Sequence, residues 1–171
     1  QEMSRGLGDV YKRQVIGGGI GHGRQLAAVL GMGADGVLIG TRVLVAEEVW
    51  SHAEVKKQIV NSGAADSTLV MSSFRNTSRV INNEFARAVQ SLELDGIKDF
   101  DQYWPYVKGA NAFDAYKSGD WNKALLSMGQ SAVFADSVQP MEQIYDTLID
   151  EAAAALELSL IHISEPTRHL L

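Results

Sequence analysis

Two glycine-rich turns lie close together near the start of the chain, each after a short apolar run. The first spans positions 17–21 and reads GGGIG, and the second is Gly40-Thr41. Glycine has no Cβ and accepts positive φ, so an anion can approach its backbone N–H groups closely. A helix that follows such a turn adds unpaired N–H groups and the positive end of its dipole. The two turns therefore predict a phosphate site built mainly from backbone donors.

The segments around these turns predict a strand, a helix and a second strand. Apolar runs at 15–16 and 37–39 indicate the strands, and apolar residues at helical spacing indicate a helix over 23–30. Strands joined in this way run parallel with a right-handed crossover, so both turns follow the carboxyl ends of neighbouring strands. Phosphates commonly bind there in (β/α)8 barrels, on the loops after strands 7 and 8. A Rossmann fold fits less well, because no acidic residue ends a strand about 20 positions further on.

The remainder of the chain is predicted to be mostly helical. A β-rich run at 68–74 gives one further strand signal. Two or three strands do not make a covered parallel sheet by themselves. The predicted fold class is therefore α/β, as the C-terminal part of a (β/α)8 TIM barrel with two or three parallel strands followed by mostly helices. The predicted later helices cover about 52–61, 83–92, 110–117, 120–128 and 140–156.

Composition argues against several classes of function. The 171 residues contain no cysteine and carry a net charge of −6. Without a basic cluster, nucleic acid is not an expected partner. No apolar run approaches the roughly 20 residues that cross a bilayer. The histidines lack the spacing of a metal site, and without cysteine there is no thiolate ligand or nucleophile. We expect a cytoplasmic protein without a metal site.

Two residues beside the turns are open to more than one interpretation. His22 lies where the chain enters the first helix, and we expect it to face solvent or the edge of the phosphate rather than to act in catalysis. Arg42 follows the second turn. It either pairs with phosphate through its guanidinium fork or forms a salt bridge at the barrel rim.

Both ends of the chain differ in pattern from its middle. Residues 1–14 have no hydrophobic period, and residues 158–171 follow a helix without a capping signal. Both resemble translated adaptor sequence, although native disordered tails are the alternative. We expect 1–14 to be a non-native leader, 15–157 to be a barrel portion with a helical extension, and 158–171 to be a non-native tail.

Two stretches of sequence carry a family resemblance. Residues 15–50 read VIGGGIGHGRQLAAVLGMGADGVLIGTRVLVAEEVW, and residues 72–89 read SSFRNTSRVINNEFARAV. They resemble the C-terminal barrel region of the nitronate monooxygenases, which are FMN-dependent TIM barrels. The resemblance covers essentially all of 15–157. The glycine-rich part is shared with flavin-dependent enoyl-ACP reductases and, more loosely, with IMP dehydrogenase.

The resemblance implies an FMN site and a redox activity. The FMN phosphate would be held by Gly18 and Gly19 and by Gly40 and Thr41, with a backbone group of Ile39 nearby. The implied reaction is oxidation of an alkyl nitronate by molecular oxygen. No catalytic residue is assigned to this chain, because the family's catalytic histidine lies upstream of the matching region. We therefore expect the chain alone to be inactive, and we make no prediction of its oligomeric state.

Two other functions remain open from the sequence. A flavin-dependent enoyl-ACP reductase would need an NAD(P)H site, which this stretch does not display. A truncated, non-catalytic domain that only binds a phosphate ligand is the second alternative.

Overall fold

The structure of the protein is a computed structural model that describes residues 13–164. Of the two predicted non-native ends, residues 1–12 and 165–171 lie outside the described residues. Gln14, the last residue of the predicted leader, exchanges two hydrogen bonds with Asp35. Its N–H donates to Asp35 Oδ2 at 2.7 Å, and its carbonyl accepts from the Asp35 N–H at 2.9 Å. The predicted division into leader, barrel portion and tail stays a prediction.

A parallel strand pair opens the described fold. Strand β1 (Val15–Gly17) pairs with strand β2 (Gly36–Leu38), and Val15 lies opposite Gly36 while Gly17 lies opposite Leu38. Helix α1 (Gly23–Gly31) forms the connection between them. The predicted strand, helix and strand are therefore confirmed, with bounds shifted by one residue.

Helix α1 packs closely against the last helix of the fold, α7 (Met141–Ser164). The contact centres on Gly23. A Cβ on Gly23 would overlap Glu151 Cβ and come within 2.5 Å of both Ala152 N and Leu148 O. Only glycine lets the two helices approach this closely. The helix predicted at 140–156 is confirmed at its start, and it continues to Ser164.

The second half of the fold is organised around an antiparallel hairpin. Strands β3 (Ser67–Val70) and β4 (Ser78–Ile81) pair with each other and not with β1 or β2. The sequence indicated the first of these strands and gave no signal for the second. The remaining helices are α2 (Thr41–Leu44), α3 (Ala53–Val60), α4 (Glu84–Leu94), α5 (Trp104–Val107) and α6 (Gly109–Ser118), with 3-10 helices at Ala64–Asp66, Ser72–Phe74, Phe100–Gln102, Trp121–Lys123 and Gln130–Phe134.

The helix predicted at 120–128 is wrong. Only a 3-10 turn forms, and the chain then runs extended alongside β4. The side-chain amide of Asn83 donates to the carbonyls of Trp121 and Ala124, each at 2.7 Å. These bonds occupy carbonyl oxygens that a continuing helix would use for its own ladder. A contact across about forty residues therefore overrides the local helical pattern.

Two buried clusters stabilise the helical half. The larger one includes Val45, Val55, Ile59, Leu126 and Met128. The second packs around Tyr103, whose hydroxyl donates to Ile97 O at 2.8 Å. Burial, and then the nearby Glu93 carboxylate, raise the pKa of Tyr103 above its ordinary value. Tyr103 therefore stays a neutral donor inside this cluster.

The parallel strands leave apolar side chains exposed. Val15 is 61% exposed and Leu38 is 69% exposed. Strands of parallel sheets are normally covered on both faces. The exposed apolar side chains are what we expect of two strands taken from the wall of a larger barrel. No helix among residues 13–164 is long and apolar enough to cross a membrane.

The contact at Gly23 gives a direct test of the packing. We expect Gly23→Ala to lower the free energy of unfolding by about 1–3 kcal/mol, because the new methyl group must displace α7. The free energy of unfolding is measured by urea denaturation of the natural protein that contains this chain, which we call the parent protein. Gly31→Ala is the matched control, since a Cβ there meets nothing within 4 Å. Equal effects of the two substitutions would contradict the packing described.

Candidate cofactor-binding site

The strand register brings the two glycine turns to one edge of the sheet. Gly17 and Leu38 are the last paired residues, so Gly18 leaves β1 at the level where Ile39 leaves β2. Neighbouring strands lie about 4.8 Å apart. The residues predicted to bind phosphate therefore leave adjacent strands from the same side.

The first turn has the backbone shape that the sequence predicts for glycine. Gly18 and Gly19 have φ of 102° and 75°, in the left-handed region that side chains disfavour. No atom lies within 4 Å of the place where a Cβ of either residue would be. The same is true of Gly40 in the second turn. Open space therefore lies beside the backbone at three of the predicted positions, which suits the approach of an anion.

Gln25 fixes the shape of the first turn. Its Oε1 accepts from the N–H groups of Gly21 at 2.9 Å and His22 at 3.1 Å, and its Nε2 donates to Gly19 O at 3.0 Å. The sequence reasoning missed this residue. Its signal was a glutamine three positions after the helix N-cap, as in a capping box. The N-cap is His22, which is not a usual capping residue, so the pattern was not recognised.

His22 and Glu151 join the start of α1 to α7. The Gly23 N–H donates to Glu151 Oε2 at 2.8 Å, and the Arg24 N–H donates to His22 Nδ1 at 3.1 Å. His22 Nδ1 also lies 3.1 Å from Glu151 Oε2, and its ring meets the Phe134 ring edge-on at 5.4 Å between centroids. His22 is thus part of a helix contact, partly exposed and without a catalytic arrangement in the described residues.

These contacts correct one expectation about α1. The sequence suggested that its first N–H groups would be unpaired and would add donors for a phosphate. The N–H groups from Gly21 to Arg24 instead have acceptors within the protein. The backbone N–H groups of Gly18 and Gly19 are not among these bonded groups.

The second turn is tied to a third segment of chain. Thr41 is only 7% exposed, and its hydroxyl oxygen accepts from the Gly129 N–H at 2.8 Å. The hydroxyl hydrogen of Thr41 remains able to donate. Gly129 directly precedes the 3-10 helix Gln130–Phe134, which also lies against the first turn. A Cβ on Gly21 would come within 3.0 Å of Ser131 Cβ.

The contacts of Arg42 do not support a role in phosphate binding. The side chain is buried, and its Nη1 lies 3.4 Å from Asp136 Oδ1. The sequence left open whether Arg42 pairs with phosphate or forms a salt bridge, and the structure shows the salt bridge. Its Nε is buried without a hydrogen-bond partner in the described residues. Among residues 13–164, no group of three His, Cys, Asp or Glu side chains is placed to hold a metal ion.

Comparisons with known proteins agree with the resemblance seen in the sequence. The family model described as nitronate monooxygenase matches residues 15–151. A nitronate monooxygenase of Neurospora crassa is 29% identical over 143 residues, which are 81% of this chain and 37% of that protein. A probable nitronate monooxygenase of Staphylococcus haemolyticus is 30% identical over 145 residues, which are 83% of this chain and 39% of that protein. The chain therefore spans about two fifths of the length of these curated relatives.

The fold comparison confirms the predicted fold class. The solved structure of FabK from Thermotoga maritima has a TM-score of 0.77 and 27% identity to this chain. The match covers 85% of this chain and 45% of that one. Two parallel strands with their helices correspond to part of a TIM barrel.

The bracing of the first turn by Gln25 is testable by amide hydrogen exchange in the parent protein. We expect Gln25→Ala to speed exchange at Gly21 and His22 about fivefold, because each N–H loses its acceptor and one hydrogen bond is worth about 1 kcal/mol. Gln25→Glu is the comparison variant, since it keeps an acceptor oxygen for the N–H groups of Gly21 and His22 while replacing the donor to Gly19 O by a carboxylate oxygen. Unchanged exchange in Gln25→Ala would show that the turn holds its shape without this side chain.

Proposed function

Because the chain belongs to the nitronate monooxygenase family, we propose that its two glycine turns hold the phosphate of FMN in an enzyme that oxidises alkyl nitronates with molecular oxygen. The observation that carries the proposal is the parallel register of β1 and β2. It sets Gly18-Gly19 beside Gly40-Thr41 at the carboxyl edge of the sheet. This is the edge at which TIM barrels bind phosphate groups.

The described residues fit a phosphate group. Gly18, Gly19 and Gly40 leave open space where a side chain would stand, so a phosphate oxygen can reach their N–H groups. The hydroxyl of Thr41 adds a side-chain donor whose orientation is fixed by the Gly129 N–H. A backbone group of Ile39 lies next to these donors along the chain. All of these donors are neutral, so the site binds the anion through oriented dipoles.

This chain contributes binding and orientation rather than proton transfer. When bound, FMN supplies the redox chemistry of nitronate oxidation. The turns would fix the phosphate end of the flavin and thereby the direction in which its ring system extends from the sheet edge. The described residues include no histidine or carboxylate placed to act as a base beside the turns, since His22 and Glu151 are engaged in the contact between α1 and α7. We propose that the base is supplied by other parts of the parent protein.

The function is tested by purifying the parent protein and identifying its flavin. We expect one FMN for each protein chain and oxygen consumption with a primary alkyl nitronate such as propyl nitronate. Lack of FMN would contradict the proposed site. NAD(P)H-dependent reduction of an enoyl thioester, without turnover of the nitronate, would instead identify a flavin-dependent enoyl-ACP reductase.

The 171-residue chain by itself provides the complementary measurement. We expect no nitronate turnover from it, because the proposed base is not among its described residues. Turnover by the isolated chain at the rate of the parent protein would contradict the proposed division of roles. Binding of FMN without turnover would agree with the proposed division of roles. If the parent protein also showed no turnover, the same result would support the non-catalytic alternative.

A further inference from the structure

A hydroxyl group close to Gly21 of the first turn and to Gly129 has no hydrogen-bond partner among the described residues. It belongs to Ser131, whose side chain is only 4% exposed. Two other buried serines do have partners: Ser62 Oγ donates to Gln58 O at 2.7 Å, and Ser67 Oγ accepts from Arg79 Nη1 at 3.1 Å. A hydroxyl without a partner in the protein is free to donate a hydrogen bond to water or to a bound ligand.

Ser131 lies close to Gly21 of the first turn and to Gly129, whose N–H donates to Thr41 Oγ1 of the second turn. On one side, a Cβ on Gly21 would lie 3.0 Å from Ser131 Cβ. On the other side, a Cβ on Gly129 would lie 3.4 Å from Thr41 Oγ1 and 3.7 Å from Ser131 Oγ. The hydroxyl oxygens of Thr41 and Ser131 therefore both lie near Gly129.

The hydroxyl of Ser131 is accessible to a small group. The polar side-chain atoms that are both sealed from solvent and unpartnered in the described residues are Arg42 Nε and Gln139 Oε1. Ser131 Oγ is not one of them, although the rest of its side chain is covered. The oxygen of Ser131 therefore keeps some contact with solvent.

We propose that Ser131 Oγ donates a hydrogen bond to the flavin phosphate, so that the segment Gly129–Ser131 forms a third arm of the site. This inference rests on the proposed FMN function. A phosphate has three terminal oxygens, and the two turns approach it from the sheet edge only. The third arm would add a side-chain donor to the site, and the bond from the Gly129 N–H to Thr41 Oγ1 holds this segment to the second turn.

The test compares two flavins that differ only in the phosphate. In the parent protein freed of flavin, dissociation constants for FMN and riboflavin are measured by quenching of flavin fluorescence. We expect Ser131→Ala to weaken FMN binding about 10- to 100-fold, as for a lost hydrogen bond to a charged group. Riboflavin binding should change less than about twofold, because riboflavin has no phosphate for the hydroxyl to contact.

Ser67→Ala is the matched control, since it also removes a buried serine hydroxyl but lies in the β3–β4 hairpin. It should leave the ratio of the two dissociation constants unchanged. Thermal unfolding of the flavin-free variants shows whether either substitution affects the fold. An equal loss of FMN and riboflavin affinity in Ser131→Ala, or no loss at all, would overturn the role of Ser131.

The same titration separates this inference from the proposed function. If the unsubstituted parent protein binds FMN more tightly than riboflavin, the phosphate site exists and only the contribution of Ser131 is in question. If it binds both equally or neither, the FMN phosphate site is itself wrong, and the role of Ser131 falls with it.

Discussion

The parallel pairing of β1 with β2 is the constraint on which the candidate site depends. Each residue of a strand advances the chain by about 3.3 Å, so a shift of two residues would separate the turns by more than 6 Å along the strands. The pairing of Gly17 with Leu38 prevents that shift. The exchange of hydrogen bonds between Gln14 and Asp35 fixes the other end of the strand pair. The close contact of Gly23 with α7 then fixes the connecting helix.

The first turn holds its shape through contacts within the protein. Gln25 and Glu151 occupy the N–H groups at the start of α1, which a free helix end would offer to an anion. The consequence is a turn that is organised before any ligand binds, and prior organisation reduces the free-energy cost of binding. In the proposed site, the anion would bind the backbone N–H groups of Gly18 and Gly19. The helix contributes by supporting the turn rather than by contacting the ligand.

The sequence was informative where the structure is local and less so where distant residues meet. Glycine spacing and apolar periodicity predicted both turns, the strands beside them and α1. The helix predicted at 120–128 failed because Asn83, far away along the chain, binds carbonyl groups in that region. The contact between Thr41 and Gly129 joins residues 88 positions apart, and no local pattern signals it. Ser131 was overlooked for the same reason, because its position matters only once the two turns and the 3-10 helix are assembled.

The measurement that tests the central claim most directly is a crystal structure of the parent protein with FMN bound. The phosphate oxygens should lie within hydrogen-bond distance, about 2.7–3.2 Å, of N–H groups in both the Gly18-Gly19 turn and the Gly40-Thr41 turn. A phosphate that contacts one turn only, or a flavin bound elsewhere in the protein, would contradict the account.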